Sequence, residues 1–193
     1  GEKKLIKHQQ FVMVANHNSH ADGVTLMTSI PVDRLAITYP VAAEDYFGKS
    51  KLSAFLSWFL INLLLIPRKR DEKNPKRDPI FIMDSYLKNG KSLIFFPEGS
   101  RGKAGKIQVF KKGLGHLMKK NMNIPIVPVY LEGIGRVLPK GNKIMLPGIT
   151  KIYFGTPIFL ENESVEEIVE KAENAVHYLK NRCDNNNSSK LRE

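Results

Sequence analysis

Short apolar or β-branched runs alternate along this chain with longer amphipathic ones. The short runs predict β-strands at residues 11–15, 35–39, 92–96, 126–131 and 151–154. Between them, helical periodicity predicts helices at residues 23–29, 78–88, 110–120 and about 165–181. Strands and helices that alternate in this way favour an α/β layered domain over a β-sandwich or a helical bundle.

The ends of two predicted helices are marked by capping residues. Asn89 and Gly90 end the helix at 78–88, and Ser164 caps the last helix, which carries acidic residues in its first turn. The chain after this helix is polar and low in complexity, with three consecutive Asn residues. We therefore expect one domain over residues 1–183 and a disordered polar tail at 184–193.

Two stretches interrupt the alternation. Residues 52–66 are almost wholly apolar, but they are too short to span a bilayer, which takes about 20 residues. Two interpretations stay open, a buried core helix and a helix that dips into a membrane or covers an acyl chain. Residues 68–77 follow directly and carry six basic side chains. A solvated loop explains these charges, and their position beside the apolar stretch also suits anionic lipid headgroups.

Composition narrows the class of protein. The chain has 193 residues, 42% of them hydrophobic and 25% charged, which is the content of one globular domain with a substantial core. Its 30 basic residues against 19 acidic ones give a formal charge of +11, which attracts phosphorylated lipids, membranes, acidic carriers or nucleic acids. Aromatic residues do not alternate with Lys and Arg, which argues against a nucleic-acid stacking surface.

A single cysteine, Cys183, excludes an internal disulfide and fits a reducing, cytoplasmic setting.

Several catalytic signatures are missing from the sequence. It contains no Gly-x-Ser-x-Gly elbow, no Walker-type phosphate loop and no complete Gly-x-Gly-x-x-Gly. A covalent serine hydrolase and a nucleotide-dependent enzyme are therefore disfavoured.

The first candidate site is the polar cluster at residues 16–22, where a predicted strand gives way to a helix. In α/β sheets, ligands bind beyond the carboxyl ends of strands. Ser19 and Asp22 form a capping-box pattern that places Ser19 at the N-cap and His17 just outside the helix. Asp22 then either caps the helix only, or orients His17 as a general base by accepting a hydrogen bond from one imidazole nitrogen.

A metal site is the alternative use of this cluster, because His17, His20 and Asp22 are all possible ligands. A metal site usually takes a further ligand from elsewhere in the chain. The remaining histidines lie in no recognisable ligand motif, and this disfavours a metal-dependent hydrolase.

The second candidate site, residues 95–101, also follows an apolar strand. Pro97 and Gly99 predict a turn, Gly99 allows a close backbone approach to a ligand, and Arg101 presents a planar fork suited to phosphate. Four lysines follow within a short distance, at positions 103, 106, 111 and 112. An ordinary surface turn with solvated lysine and arginine side chains would have the same sequence pattern. Two polar turns that follow separate strands together indicate a binding site.

Taken in order, these clusters resemble the glycerolipid acyltransferase family that includes the 1-acylglycerol-3-phosphate acyltransferases. The family's Asn-His-x-Ser-x-x-Asp block is matched in full at 16–22, and its Phe-Pro-Glu-Gly-Thr-Arg block is matched at 96–101 with Ser100 for Thr. A later apolar strand with Pro corresponds to residues 126–129. The remaining block matches less well, since Asn62 stands where Gly is common and Pro67 precedes the expected Arg68.

The resemblance implies an α/β fold with a mixed central sheet flanked by helices. It also implies acyl transfer without a covalent intermediate or a cofactor, from acyl-CoA or acyl carrier protein to a lysophospholipid, 1-acylglycerol-3-phosphate above all. Glycerol 3-phosphate and other lysolipids stay open as acceptors. We expect the protein at the cytoplasmic face of a membrane, held peripherally or by a segment absent from this chain.

The family's site residues carry over by position. The resemblance implies that His17 is the base and Asp22 its partner. It implies an acceptor site formed by Arg68, Glu98, Gly99, Ser100 and Arg101, to which charge and position add Lys111.

Overall fold

The computed structural model describes residues 10–46, 62–69, 74–137 and 148–190. These residues form a six-stranded sheet of β1 (Val12–Ala15), β2 (Thr38–Ala43), β3 (Leu64–Ile66), β4 (Ser92–Phe95), β5 (Ile126–Glu132) and β6 (Lys151–Phe154). The strand order is β3-β2-β4-β1-β5-β6. All neighbours pair in parallel except β5 and β6, which are antiparallel. The expected mixed α/β sheet is therefore confirmed.

The helices are α1 (Asp22–Met27), α2 (Val32–Leu35), α3 (Pro79–Lys88), α4 (Gly113–Lys119), α5 (Ile134–Val137) and α6 (Val165–Lys190). Single 3-10 turns lie at Glu44–Tyr46 and Pro75–Arg77. Within the described ranges, no helix is both long enough and apolar enough to cross a bilayer.

Two apolar cores cover the two faces of the sheet. Alternate residues of the central strand β1 point to opposite faces, as the strand period of two requires. Val12 and Val14 belong to the core that packs against α3, α4 and α6, while Met13 and Ala15 belong to the core against α1. All four residues of β1 are buried. The carboxyl ends of β1 and β4 consequently meet at one edge of the sheet, held by a rigid interior.

Helices α4 and α6 pack unusually closely. A Cβ added at Gly115 would lie 2.2 Å from the backbone oxygen of Val165, so the first turn of α6 sits directly on a glycine of α4. The capping of α6 is as predicted: Ser164 Oγ accepts from the Glu167 N–H, and the Glu167 carboxylate accepts from the Ser164 N–H.

The end of the last helix was predicted wrongly. Helix α6 continues to Lys190, through residues 184–190 of the segment expected to be a disordered tail. Nothing in the sequence after residue 181 breaks a helix, since Gly and Pro are absent there. Cys183 is buried against the core and Lys180 pairs with Asp184 at 2.7 Å, which extends the packed face beyond the predicted end.

Two other predictions need correction. The strand expected at 35–39 begins only at Thr38, because residues 32–35 form α2 after Pro31. The apolar stretch 52–66 ends not in a helix but in the short strand β3, which pairs with β2. Its residues 52–61 lie outside the described part of the chain, and so do residues 70–73 of the basic run.

Candidate active site

The two candidate clusters meet at one edge of the sheet, as predicted from their positions after β1 and β4. The backbone of His17 joins them twice. Its N–H donates to Glu98 Oε1 at 3.0 Å, and its carbonyl accepts from the Gly102 N–H at 2.8 Å. The loop that carries the imidazole is therefore fixed to the loop that carries the Glu-Gly-Ser-Arg turn.

His17 and Asp22 form the expected dyad. His17 Nδ1 lies 2.8 Å from Asp22 Oδ2, and Asp22 is fully buried. The same oxygen accepts the backbone N–H groups of Asn18 at 2.7 Å and Ser19 at 2.8 Å, so the carboxylate is held in place before any substrate binds. A carboxylate can only accept at Nδ1, which places the proton there and leaves Nε2 as the basic nitrogen.

The imidazole ring is also restrained on its face. It stacks on Phe96 at a centroid distance of 4.4 Å and an interplanar angle of 21°. Ring position and tautomer are therefore both set by the protein.

The helix cap differs from the expected one. Ala21, not Ser19, is the N-cap of α1, and Asp22 is the first helical residue. Ser19 Oγ accepts from the Ala21 N–H at 3.2 Å, one residue short of the helix. The prediction of Ser19 as the N-cap is therefore wrong, although the Asp22 carboxylate still accepts from the Ser19 N–H through the same oxygen that contacts His17.

Two asparagines that the sequence analysis left without a role hold the base loop. Asn16 Oδ1 accepts from the Leu131 N–H at 2.7 Å, which ties the loop to β5. Asn18 Nδ2 donates to the carbonyls of Lys103 at 2.7 Å and Lys106 at 3.0 Å, which ties it to the turn after the second cluster. Both asparagines are buried. No local pattern reveals these partners, because they lie 85 or more residues away.

Glu98 departs from its expected place in the acceptor site. Only 2% of its surface is exposed, and its side chain does not line the cavity. One carboxyl oxygen accepts from the His17 N–H, and the other accepts from Gln108 Nε2 at 3.0 Å. Burial raises the pKa of Glu98 to about 7, although these hydrogen bonds oppose the rise. Its contacts are those of a group that positions His17.

Gln108 is the functional residue that the sequence analysis missed here. Its Nε2 donates to Glu98 and also to the Ser100 carbonyl at 2.9 Å, so it braces the turn from the side opposite His17. It lies in a stretch without a motif, and no sequence signal marks it.

One cavity of about 560 Å³ opens beside the dyad, a size typical of ligand pockets. Its polar wall holds most of the expected residues: His17, His20, Arg68, Gly99, Ser100, Arg101 and Lys111. Much of the rest of its lining is apolar and comes from five different elements, with Val24, Val41, Ile66, Ile80, Met83 and Phe95 among its residues. The cavity is thus cationic around the turn at Gly99 and apolar over much of the rest of its lining.

The glycine of the turn lets a cation approach. Gly99 has a φ of 70°, and a Cβ added there would lie 2.8 Å from Lys111 Nζ. Lys111 is held over the turn by its own N–H, which donates to the Pro97 carbonyl at 2.9 Å.

Two further groups have shifted acidity. Burial lowers the pKa of Arg101, but an arginine stays cationic throughout the range in which proteins fold. Burial, with Arg101 and His17 nearby, lowers the pKa of His20, so this imidazole is neutral near pH 7.

The metal site of the alternative hypothesis is not formed. Among the described residues, which include His17, His20 and Asp22, no group of three His, Cys, Asp or Glu side chains is arranged to hold a metal ion. The Asp22 oxygen that faces His17 is already occupied by three N–H donors.

The chain is similar to known acyltransferases. A family model described as Acyltransferase matches residues 1–132. The chain is 29% identical over 153 residues to the chloroplastic 1-acyl-sn-glycerol-3-phosphate acyltransferase BAT2 of Brassica napus, covering 77% of this chain and 40% of the relative. It is 26% identical over 176 residues to 1-acyl-sn-glycerol-3-phosphate acyltransferase alpha of Mus musculus, covering 89% and 58% respectively. The chain therefore spans about half the length of these curated relatives.

A solved structure shares the fold. The crystal structure of the 1-acyl-sn-glycerophosphate acyltransferase PlsC of Thermotoga maritima superposes with a TM-score of 0.69 at 24% identity, over 94% of this chain and 69% of that one.

Proposed function

The chain belongs to the Acyltransferase family, and we propose that it moves a fatty acyl group from a thioester donor to the free hydroxyl of 1-acylglycerol-3-phosphate, which yields phosphatidic acid. One observation carries this proposal. The His17–Asp22 dyad opens on a cavity that has three cationic side chains, Arg68, Arg101 and Lys111, around the turn at Gly99 and apolar side chains over much of the rest of its lining. An acceptor with a phosphate, a hydroxyl and an acyl chain matches that distribution of charge.

The dyad supplies general-base catalysis. His17 Nε2 removes the proton of the acceptor hydroxyl as its oxygen attacks the thioester carbonyl. A C–O bond forms, the tetrahedral intermediate collapses with loss of the C–S bond, and the imidazolium returns the proton to the leaving thiolate. Buried Asp22 stabilises the imidazolium between these steps. General-base catalysis contributes about a hundred- to ten-thousand-fold, and positioning of the two substrates adds to it. A thioester is already activated, so this chemistry needs no cofactor.

The cationic end of the cavity suits the acceptor phosphate. Two guanidinium groups and one ammonium group can surround a phosphate dianion, and a guanidinium binds phosphate oxygens in pairs. Gly99 and Ser100 lie between these cations on the same wall and bring backbone and hydroxyl groups close to the ligand. Glycerol 3-phosphate would fill only this polar end, whereas 1-acylglycerol-3-phosphate would also fill the apolar part. The names of the relatives favour the second acceptor.

The site of action follows from the substrate. We infer that the protein works at the cytoplasmic face of a membrane, because an acceptor that carries an acyl chain resides in a lipid bilayer and the chain carries a net charge of +11, which attracts anionic lipid surfaces. Its donor is acyl-CoA or acyl carrier protein, both of which are anionic.

A product assay tests the proposal. The purified protein is incubated with 1-acylglycerol-3-phosphate, glycerol 3-phosphate or an uncharged monoacylglycerol, each with palmitoyl-CoA or palmitoyl acyl carrier protein, and the lipids are identified by mass spectrometry. We expect phosphatidic acid from the first acceptor and no diacylglycerol from the uncharged one. If no acceptor gains an acyl chain from either donor, or if the only products are free fatty acid and thiol, the protein is not this enzyme.

A further inference from the structure

Arg68 is a cation of the cavity lining whose guanidinium is held by polar contacts, although about half of its side chain is exposed. It follows the edge strand β3, and 49% of its side chain is exposed. Two neighbouring loops hold its guanidinium. Nε donates to Asp45 Oδ2 at 2.6 Å in the turn after β2, and Nη1 donates to the Gly99 carbonyl at 3.1 Å in the turn after β4.

These two contacts leave a defined part of the guanidinium for a ligand. The group has five N–H donors, of which Asp45 takes the one on Nε and Gly99 takes one on Nη1. The three remaining hydrogens lie on Nη1 and Nη2. Because the guanidinium is planar, neighbouring N–H groups on two of its nitrogens can donate two parallel hydrogen bonds to a phosphate.

The carboxylate restricts a side chain that is otherwise mobile. A free arginine loses up to about 2 kcal/mol of rotamer entropy when it is fixed, and an exposed one has no packed neighbours to fix it. Asp45 does not line the cavity, whereas Arg68 does, so the carboxylate reaches a ligand only through the arginine.

We propose that Asp45 is a positioning residue of the acceptor site, which holds the Arg68 guanidinium so that its remaining N–H groups face the phosphate. This inference rests on the proposed function. Simple electrostatics predicts the opposite change in acceptor affinity. A carboxylate repels a nearby phosphate, so removal of the Asp45 carboxylate would by charge alone improve acceptor binding. If Asp45 acts by positioning, its removal weakens acceptor binding instead.

The chain offers a matched control. Glu44 is the neighbour of Asp45 in the same 3-10 turn and forms an ion pair of the same kind, with Arg77 Nη2 at 2.5 Å. Neither Glu44 nor Arg77 lines the cavity. Asp45→Ala and Glu44→Ala therefore remove the same charge from the same turn, and only the first releases an arginine of the site.

The test is steady-state kinetics with 1-acylglycerol-3-phosphate as the varied acceptor and palmitoyl-CoA as the donor. Asp45→Ala should raise the acceptor KM about two- to fivefold, the range that an exposed ion pair supports, with kcat and donor KM unchanged. Asp45→Asn, which keeps an oxygen acceptor for Nε, should fall between wild type and Ala. Glu44→Ala should leave all three constants unchanged.

A double-mutant cycle shows whether Asp45 works through Arg68. In an Arg68→Gln background, Asp45→Ala should have no further effect on the acceptor KM. The inference is overturned if Asp45→Ala leaves the KM unchanged or lowers it, if Glu44→Ala raises it equally, or if the two substitutions are additive. If Arg68→Gln alone leaves the acceptor KM unchanged, the phosphate role of Arg68 fails first, and the proposed acceptor site with it.

Discussion

Glu98→Gln should change how the stability of the fold depends on pH. Glu98 is buried between the His17 N–H and Gln108, and burial raises its pKa from 4.5 to about 7. Between these two values the folded chain binds a proton that the unfolded chain has lost. The free energy of unfolding therefore falls as pH rises, and stability present below pH 4.5 is lost as the pH passes through about 7.

The loss in the free energy of unfolding follows from the gap between the two pKa values of Glu98, 4.5 in the unfolded chain and about 7 in the folded one. Each pH unit between the two pKa values costs about 1.4 kcal/mol, so the whole interval amounts to about 3 kcal/mol for a group that is only 2% exposed. Glutamine carries no ionisable proton and escapes the penalty. Its amide nitrogen would oppose the donor Nε2 of Gln108, so the variant also loses one hydrogen bond at every pH, which costs about 1 kcal/mol.

Urea denaturation at pH 5, 6, 7 and 8 measures both effects. At pH 5 the two proteins should have similar free energies of unfolding, because the lost hydrogen bond and the proton-linked loss nearly cancel. By pH 8 the free energy of unfolding of Glu98→Gln should have gained about 2 to 3 kcal/mol on that of the wild type. Glu166→Gln is the control, because Glu166 is exposed and its pKa is lowered by Lys112, so its curve should not diverge in this direction. If the free energies of unfolding of wild type and Glu98→Gln change with pH in parallel, the assignment of a buried carboxyl with a raised pKa is refuted.

Three further substitutions separate binding from folding. Arg101→Ala should raise the acceptor KM with little change in kcat, whereas Lys103→Ala, outside the cavity lining, should not; equal kinetics in both variants would contradict the phosphate role. Asp78→Ala removes the cap that accepts the Ile80 N–H at 2.8 Å and should cost about 1 kcal/mol in urea denaturation without loss of activity. Gly115→Ala should cost about 1 to 3 kcal/mol, because its Cβ would collide with α6; unchanged stability would contradict the close packing.

The contact between His17 and Asp22 was one of two interpretations that the sequence allowed, because its parts are local, and the family resemblance favoured it over a helix cap alone. His17 and Asp22 lie five residues apart, and their position at a strand-to-helix junction places the imidazole outside the helix. The meeting of this loop with the Glu-Gly-Ser-Arg turn also followed from the sequence, since strands that precede two polar turns in an α/β sheet end at the same edge. The structure shows both, with β1 and β4 as direct neighbours.

The supporting contacts could not be predicted, because they depend on the tertiary fold. Gln108 shows no motif, yet it bonds the carboxyl of Glu98. Glu98 itself was assigned to the acceptor by resemblance, and only the burial of its side chain shows that it faces His17. The extension of α6 beyond its predicted end near residue 181 has a similar origin. Cys183 is buried against the core, and this tertiary contact continues the helix into the polar C-terminal sequence.

The rate of acyl transfer by His17→Ala tests the central claim most directly, since it removes the base and leaves the cationic wall in place. In a single-turnover assay with 1-acylglycerol-3-phosphate and palmitoyl-CoA, we expect a fall of about a hundred- to ten-thousand-fold with acceptor binding unchanged. His116→Ala, which removes an exposed imidazole outside the cavity lining, should retain the wild-type rate. A rate for His17→Ala within a few-fold of wild type would contradict the account.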